Sequence, residues 1–209
     1  MPKRPHLLLT MCLLLLLTAG CGERGKSDST PSGGTDYAAT VNEEDMPSAS
    51  SVQQLTEDCI GERYDKAENI TYEDYKNADD IGYLAFSYDN DGAAYYGFTV
   101  AEQEGDRWKL YYFEDYPNDG EAPVAITQFI GTYPGVENMK LHITAGRVND
   151  EHIRNIVLYY PKADIKVIYL DTDQRGFIDI KINSVDSLTK IDCKSSTGKI
   201  IYSRDFDKS

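Results

Sequence analysis

The feature that most constrains this chain is a hydrophobic alternation with a period of two, which starts near Ile81 and recurs almost to the end of the sequence. Apolar residues alternate with polar or small ones over short segments, and Asp, Asn and Gly stand between the segments. Because successive side chains of a strand point to opposite faces, this pattern is typical of strands joined by tight turns. It predicts a mainly β fold.

Three such segments lie within residues 81–113, and the turns Asn90-Asp91-Gly92 and Glu104-Gly105-Asp106 separate them. They predict a three-stranded antiparallel meander. A short helix is predicted before it, since Ser51 fits a helix cap and one helical face carries Val52, Leu55 and Cys59 before Gly61. A three-stranded sheet needs cover, so we expect the helix to pack on the meander.

Six further segments of the same kind follow, at residues 141–145, 153–160, 165–170, 178–182, 188–193 and 199–202. They predict an antiparallel β-sandwich of Greek-key or immunoglobulin-like type over residues 126–209, which leaves the helix and the meander for residues 51–125. Polar residues 62–80 predict a helical turn or a loop. A further turn is predicted from Gly131 to Gly135.

The amino terminus has the composition of an export signal. Lys3 and Arg4 precede an apolar run from Leu7 to Ala19. That run is too short for a transmembrane helix, which needs about 20 apolar residues. We therefore predict a signal peptide.

The segment Leu17-Thr18-Ala19-Gly20-Cys21 resembles the lipobox of bacterial lipoproteins, although that family more often has a large aliphatic residue where Thr18 stands. The resemblance implies that residues 1–20 are removed and that Cys21 carries a diacylglyceryl group. It also implies an exported protein anchored at the outer face of the cell membrane, because two acyl chains give stable anchoring. Residues 21–50 are rich in Gly, Ser, Thr, Asp and Pro and predict a flexible tether.

The ordered region is similar to a loose class of lipoproteins of unknown function from Gram-positive bacteria. The similarity lies in a Tyr-rich strand before an Asp-Gly turn, a strand opening with Trp108-Lys109, the segment from Ala145 to Ile153, and the closing segment Ser196 to Ile200. The class brings no assigned activity. It implies a β fold and leaves the function open.

The charge of the chain bears on its partners. Lys and Arg total 21, Asp and Glu total 35, and the net charge is −14. Binding to nucleic acid relies on basic patches that contact phosphates. We therefore expect no nucleic acid partner.

Two cysteines, Cys59 and Cys193, remain once Cys12 is removed with the signal and Cys21 is acylated. Outside the cytoplasm they can form a disulfide between the helix and a late strand. The alternative is two unbridged thiols in the core. The sequence leaves both open.

The sequence has no recognisable catalytic motif, since GxSxG, SxxK and HExxH are absent. Neither His142, on the outward face of a predicted strand, nor His152, in a predicted turn, has metal-ligand spacing, and we expect both to be solvated. Two acidic turns, residues 87–92 and 171–176, match the start of a calcium loop but lack the glutamate of its twelfth position. We predict hairpin turns, with no metal and no cofactor.

Four aromatic residues, Tyr83, Tyr95, Tyr111 and Phe113, are predicted to share one face of the meander. An exposed face of this kind would bind a sugar or a partner protein. The alternative, which we favour, is cross-strand pairing under a covering layer.

Two hypotheses about function follow. The first is a non-enzymatic protein of the cell envelope whose β domain binds a partner or ligand; a purely structural role as a spacer is a separate, third reading. The second is an envelope hydrolase with a pair of carboxyl groups, which the 35 acidic residues make conceivable.

Overall fold

The computed structural model describes residues 46–207, which hold one α-helix, twelve β-strands and a single 3-10 turn. The export signal 1–20, the lipid attachment residue Cys21 and most of the predicted tether lie outside the described residues. The elements in chain order are β1 Ser48–Ala49, α1 Val52–Arg63, β2 Ala67–Ala78, β3 Ile81–Asn90, β4 Ala93–Glu104, β5 Arg107–Asn118, β6 Val124–Thr132, β7 Lys140–Val148, β8 Asn155–Tyr159, the 3-10 turn Pro161–Ala163, β9 Ile165–Tyr169, β10 Gly176–Ile182, β11 Lys190–Lys194 and β12 Ile200–Asp205.

The strands form three antiparallel sheets. The first sheet has the order β1-β5-β4-β3-β2, the second β10-β7-β6, and the third β12-β11-β8-β9. The prediction of a mainly β, antiparallel fold is confirmed. The meander belongs to the first sheet, and strands β6 to β12 form the second and third sheets. The three sheets are layered on one another, so the strands of the two predicted regions lie in one stack.

Three apolar clusters separate the layers. Leu141 and Ile143 of β7 pack against the first sheet, in a cluster that also contains Tyr83 and Phe98. On the other face of the second sheet, Phe177 packs with residues of the third sheet such as Leu158. The second sheet is therefore covered on both faces.

Helix α1 covers the remaining face of the first sheet. The side chain of Ser51 accepts a hydrogen bond from the backbone N–H of Gln54 at 3.1 Å, which satisfies one of the free amides of the first turn. Val52, Leu55, Cys59 and Ile60 are buried against the sheet. The helix runs to Arg63, past Gly61, where the sequence had predicted its end.

The ordered domain begins earlier than predicted. Ser48 and Ala49 pair with Lys109 and Trp108 of β5, and Met46 is buried in the cluster between the first two sheets. The last residues assigned to a flexible tether are therefore a short edge strand.

Two further strands were missed. In place of the expected turn or loop, residues 62–80 contain β2, which pairs along β3 with two register shifts and whose polar side chains hide the alternation. Residues 124–132 contain β6, although Gly131 had predicted a turn. A Cβ at Gly131 would lie 2.8 Å from the hydroxyl of Tyr112 and 2.6 Å from the ring of Phe129, so this glycine serves close packing within a strand.

Strand β2 also holds the first sheet to the second. A carboxylate oxygen of Glu73 accepts from the backbone N–H of Arg175 at 2.9 Å, and one of Asp74 accepts from the N–H of Ile178 at 3.1 Å. The ammonium group of Lys76 donates to the carbonyl oxygen of Ile178. Side chains of one sheet thus take the place of a neighbouring strand along the free edge of β10.

No helix within residues 46–207 is long and apolar enough to cross a membrane.

Candidate functional site

The aromatic face predicted on the meander does not exist. Tyr83 and Tyr111 point toward the second sheet, whereas Phe113 and Tyr95 lie on the side of α1. Tyr83 and Phe113 are fully buried, Tyr111 is 9% exposed, and Tyr95 is half-buried. The prediction of a shared binding face is wrong, and the four rings belong to the covered interior.

Two local features explain this error. The β3–β4 turn contains two residues, Asp91 and Gly92, both with positive φ. With this turn Tyr83 pairs with Val100 and shares its face, whereas Tyr95, five residues before Val100, points to the opposite face. In addition, Ala101 pairs with Leu110 while Val100 pairs with Tyr112, which leaves Tyr111 as the extra residue of a β-bulge. A bulge reverses the alternation along a strand.

The two remaining cysteines are free thiols in different cores. Cys59 lies in the cluster under α1, and Cys193 lies between the second and third sheets. The disulfide alternative is therefore wrong, because the two residues belong to separate layers. Burial raises the pKa of each thiol to about 12, so neither is a ready nucleophile.

The two histidines have different environments. His152 is exposed, and its Nδ1 lies 2.9 Å from the Asp150 carboxylate in a turn. His142, expected to be solvated, is 1% exposed because the third sheet covers the outward face of β7. Neither ring nitrogen of His142 has a hydrogen-bond partner in the described part of the chain. Loss of solvation lowers its pKa, so the folded chain holds this imidazole neutral.

A polar cluster lies beside His142, between the second and third sheets. The Tyr160 hydroxyl donates to Asp179 at 3.0 Å and lies 2.9 Å from the hydroxyl of Thr144. The ammonium group of Lys181 lies 4.0 Å above the Tyr160 ring and pairs with Asp164. These contacts fix Tyr160, which follows β8, on the second sheet, and so set the position of the third.

The carboxylates of Asp115 and Glu73 are also bound to their own partners. Asp115 accepts from Arg63 at 2.8 Å and from the Tyr88 hydroxyl, and Glu73 accepts from Ser87 at 3.0 Å besides its contact with β10. No group of three or more His, Cys, Asp or Glu residues suited to a metal ion occurs among residues 46–207. Asp115 and Glu73 thus act as structural acceptors.

One sheet face stays uncovered in the part of the chain that the structure describes. The first sheet is packed by α1 and the second sheet, and the second sheet by the first and third. The face of the third sheet that points away from the second sheet, which we call the outer face, has no such layer. Its members are Ile165, Val167 and Tyr169 on β9, Val157 and Tyr159 on β8, and Asp192 on β11.

The apolar part of the outer face is concentrated on β9, which lies at the edge of the third sheet. Ile165 is 53% exposed, Val167 40% and Tyr169 75%. They alternate with Lys166 and with Ile168, which points into the core. Three large apolar side chains in a row on an edge strand are unusual, because exposed edges are commonly protected by charge.

The centre of the outer face is polar and tightly bonded. Asp192, 3% exposed, accepts from Ser203 at 2.7 Å, from the Tyr159 hydroxyl at 2.9 Å and from Lys190 at 2.9 Å. Burial alone would raise the pKa of Asp192, but these three hydrogen bonds outweigh it and hold the pKa below its usual value. Asp192 therefore stays ionised and fixes the strands beside β9.

Among residues 46–207, the backbone groups on the outer edge of β9 have no neighbouring strand to bond with. The N–H of Tyr160 donates to the carbonyl of Asp164, and the N–H of Leu170 donates to that of Arg154. These two bonds continue the β8–β9 pairing by one residue at each end. Because hydrogen-bonded pairs alternate along antiparallel strands, the even-numbered residues of β9 bond to β8. The N–H and C=O groups of Ile165, Val167 and Tyr169 consequently point away from the sheet.

The sequence signal for this site was weak. Residues 165–170 correctly predicted a strand, but apolar residues occur at both alternations, so the pattern does not tell which face is exposed. Only the position of β9 in the sheet order shows that one of those faces is exposed.

No family model, curated protein or solved structure matches this chain. The functional proposal therefore rests on the described residues and on the amino-terminal sequence.

Proposed function

We propose that this chain is an exported, lipid-anchored protein of the cell envelope whose β domain binds a partner without catalysing a reaction. The observation that carries the proposal is β9, an edge strand with three exposed apolar side chains and free backbone groups on the same edge. Such an edge accepts a further strand, which is a common mode of protein recognition.

The anchor is the sequence part of the proposal. Acylation of Cys21 would hold the chain at the outer face of the membrane, and the net charge of −14 would keep the domain off an anionic lipid surface. The third sheet would then meet partners that approach from outside the cell.

The anchor is tested by membrane fractionation. A Cys21→Ala variant should leave the membrane fraction, whereas the matched Cys12→Ala variant, changed within the apolar run, should remain there with an acylated Cys21. Metabolic labelling with a fatty acid gives the second readout. Retention and labelling of Cys21→Ala would contradict the anchor.

The binding edge is tested by site-specific crosslinking in intact cells. A photoreactive amino acid at Tyr169 should form crosslinked species that are absent when it replaces Tyr75, which is 44% exposed on β2 of the first sheet. Identical patterns at the two positions, or none at either, would refute β9 as a recognition edge.

The hydrolase alternative requires two carboxyl groups in one site. The buried Asp115, Asp179 and Asp192 each bind separate donors in different parts of the fold. No two of these three aspartates share a site, which favours the non-enzymatic proposal.

The finer fold assignment is also a proposal. The second and third sheets pack face to face around Phe177, as the two halves of a sandwich do. We propose that these two sheets are the Greek-key or immunoglobulin-like unit and that the first sheet is an addition to it.

A further inference from the structure

We infer that the partner at β9 is a second copy of this chain, joined through an antiparallel pairing of the two β9 strands about a two-fold axis at Val167. The inference rests on the proposed function, since it names the partner of the edge proposed there.

The backbone fits this pairing. Ile165, Val167 and Tyr169 direct their free N–H and C=O groups to the same side of the strand. With Val167 opposite its own copy, Ile165 lies opposite Tyr169 of the other copy, and each of these pairs is of the hydrogen-bonded kind. Every N–H and C=O group on the free edge of β9 then has a partner, as in the interior of a regular antiparallel sheet.

The side chains fit it as well. The three exposed apolar residues of each copy lie on one face and would form a single row across the joined sheets. Lys166, the only charged residue of β9, lies opposite Ile168 of the other copy, so no lysine faces a lysine. A contact that matches itself under a two-fold axis is what a symmetric dimer needs.

Anchoring in one membrane favours a second copy over a soluble partner. Copies that share a surface meet at a high effective concentration, so a small contact is sufficient. Pairing of five-residue strands buries less than a standard interface, which covers roughly 1,200 Å² or more, so we expect a dimer that is weak in dilute solution.

The charge of the chain gives the dimer a recognisable salt dependence. At a net charge of −14, two copies repel each other, and the repulsion is screened when the Debye length falls from about 10 Å at 0.1 M salt to about 3 Å at 1 M. Association of two copies should therefore strengthen as salt rises. A basic partner would show the opposite trend.

The test is cysteine crosslinking of the full chain in its own membranes. In the hydrogen-bonded pair the two Val167 Cα atoms would lie about 5.5 Å apart. This is within the Cα range of about 4.4 to 6.8 Å for a disulfide, but the Cβ atoms of a hydrogen-bonded pair lie about 5.5 Å apart and a disulfide needs about 3.5 to 4.5 Å. The two thiols are therefore joined with a short bifunctional thiol reagent. The matched control is Val136→Cys, since Val136 is 41% exposed and Val167 is 40% exposed. The native Cys59 and Cys193 are buried and should not interfere.

With this reagent, Val167→Cys should give a species of twice the monomer mass, about tenfold more abundant than with Val136→Cys. Ile165→Cys should crosslink poorly with itself, because the two Ile165 residues would be about 14 Å apart along the strands. Mixed with Tyr169→Cys it should give the dimer. The yield should rise with salt.

Three results would overturn the inference, and they separate it from the proposed function. A Val167→Cys chain linked to a protein of different mass would refute the second copy and keep the binding edge. Equal, low dimer yields for Val167→Cys and Val136→Cys would refute the pairing and leave the anchor to the Cys21→Ala test. Efficient self-crosslinking of Ile165→Cys would refute the antiparallel register.

Discussion

Proline substitution at neighbouring positions of β9 tests the direction of its backbone groups. Proline removes one N–H, so its effect depends on where that N–H points. The N–H of Lys166 should donate to Leu158 of β8, with which it is paired, whereas the N–H of Val167 should point to solvent. Lys166→Pro is therefore expected to damage the sheet, and Val167→Pro to leave it nearly intact.

The magnitudes follow from burial. Leu158 is fully buried, so Lys166→Pro loses a hydrogen bond and leaves a carbonyl group unsatisfied, at a cost of about 3 kcal/mol. Val167→Pro loses no bond to β8 and part of the packing of a side chain that is 40% exposed, at a cost of about 1 kcal/mol. The expected difference in the free energy of unfolding is about 2 kcal/mol.

Urea denaturation measures this difference. With a slope of about 2 kcal/mol per molar urea, the midpoints of the two variants should differ by about 1 M. Circular dichroism reports on all sheets and the fluorescence of Trp108 on the first, so coincident transitions would also show that the sheets unfold together. Equal midpoints for Lys166→Pro and Val167→Pro would refute the assignment of the free edge. Val167→Pro should in addition abolish the β9 dimer, whereas Val167→Thr should retain it.

Three further predictions concern single polar side chains within and between the sheets. Asp74→Ala should lower the free energy of unfolding by about 1 to 3 kcal/mol, because the N–H of Ile178 loses its acceptor. Asp74→Asn keeps an acceptor and should lower the free energy of unfolding by less. Equal losses for the two variants in urea denaturation would contradict the contact between Asp74 and the edge of β10. Asp192→Asn should destabilise the chain at pH 7 and progressively less as the pH falls below about 4. The reason is that a carboxyl group whose pKa is lowered in the folded chain contributes stability above its unfolded pKa and loses that contribution on protonation. A loss of stability that is independent of pH would contradict an ionised Asp192. His142→Gln should reduce the loss of stability between pH 7 and pH 5. Burial lowers the pKa of His142 in the folded chain, so the unfolded chain, with a pKa of about 6.5, binds the proton first as the pH falls. Thermal melting at both pH values measures this, and an unchanged pH dependence would refute it.

The fold class was predictable because it depends on local alternation. The six strands after residue 140 were all indicated by their apolar pattern, and each occurs in the structure. Strand β2 was not predictable in this way, since its charged side chains serve a contact with β10 that is distant in sequence.

The faces of the meander failed for a different reason. Whether Tyr83 and Tyr95 share a face depends on the number of residues in one turn. The extra residue Tyr111 then exchanges the two faces for the rest of β5. Alternation shows that a residue has a face but leaves open which face it is. The candidate site depends in turn on the sheet order, because β9 is exposed only through its place at the edge.

The two edges of the third sheet differ in a way that favours a closed dimer over a polymer. Strand β12, at the edge opposite β9, is apolar from Ile200 to Tyr202 but ends in Ser203, Arg204 and Asp205, and these charged residues oppose the addition of a further strand. Pairing at β9 consumes the apolar edge of both copies and leaves only the two β12 edges at the ends of the joined sheet. A two-fold contact of this kind closes, whereas a contact between unlike edges would propagate. Sedimentation of the purified chain at rising concentration should therefore reach the dimer and no larger species, whereas species larger than a dimer would show that β9 also pairs with β12.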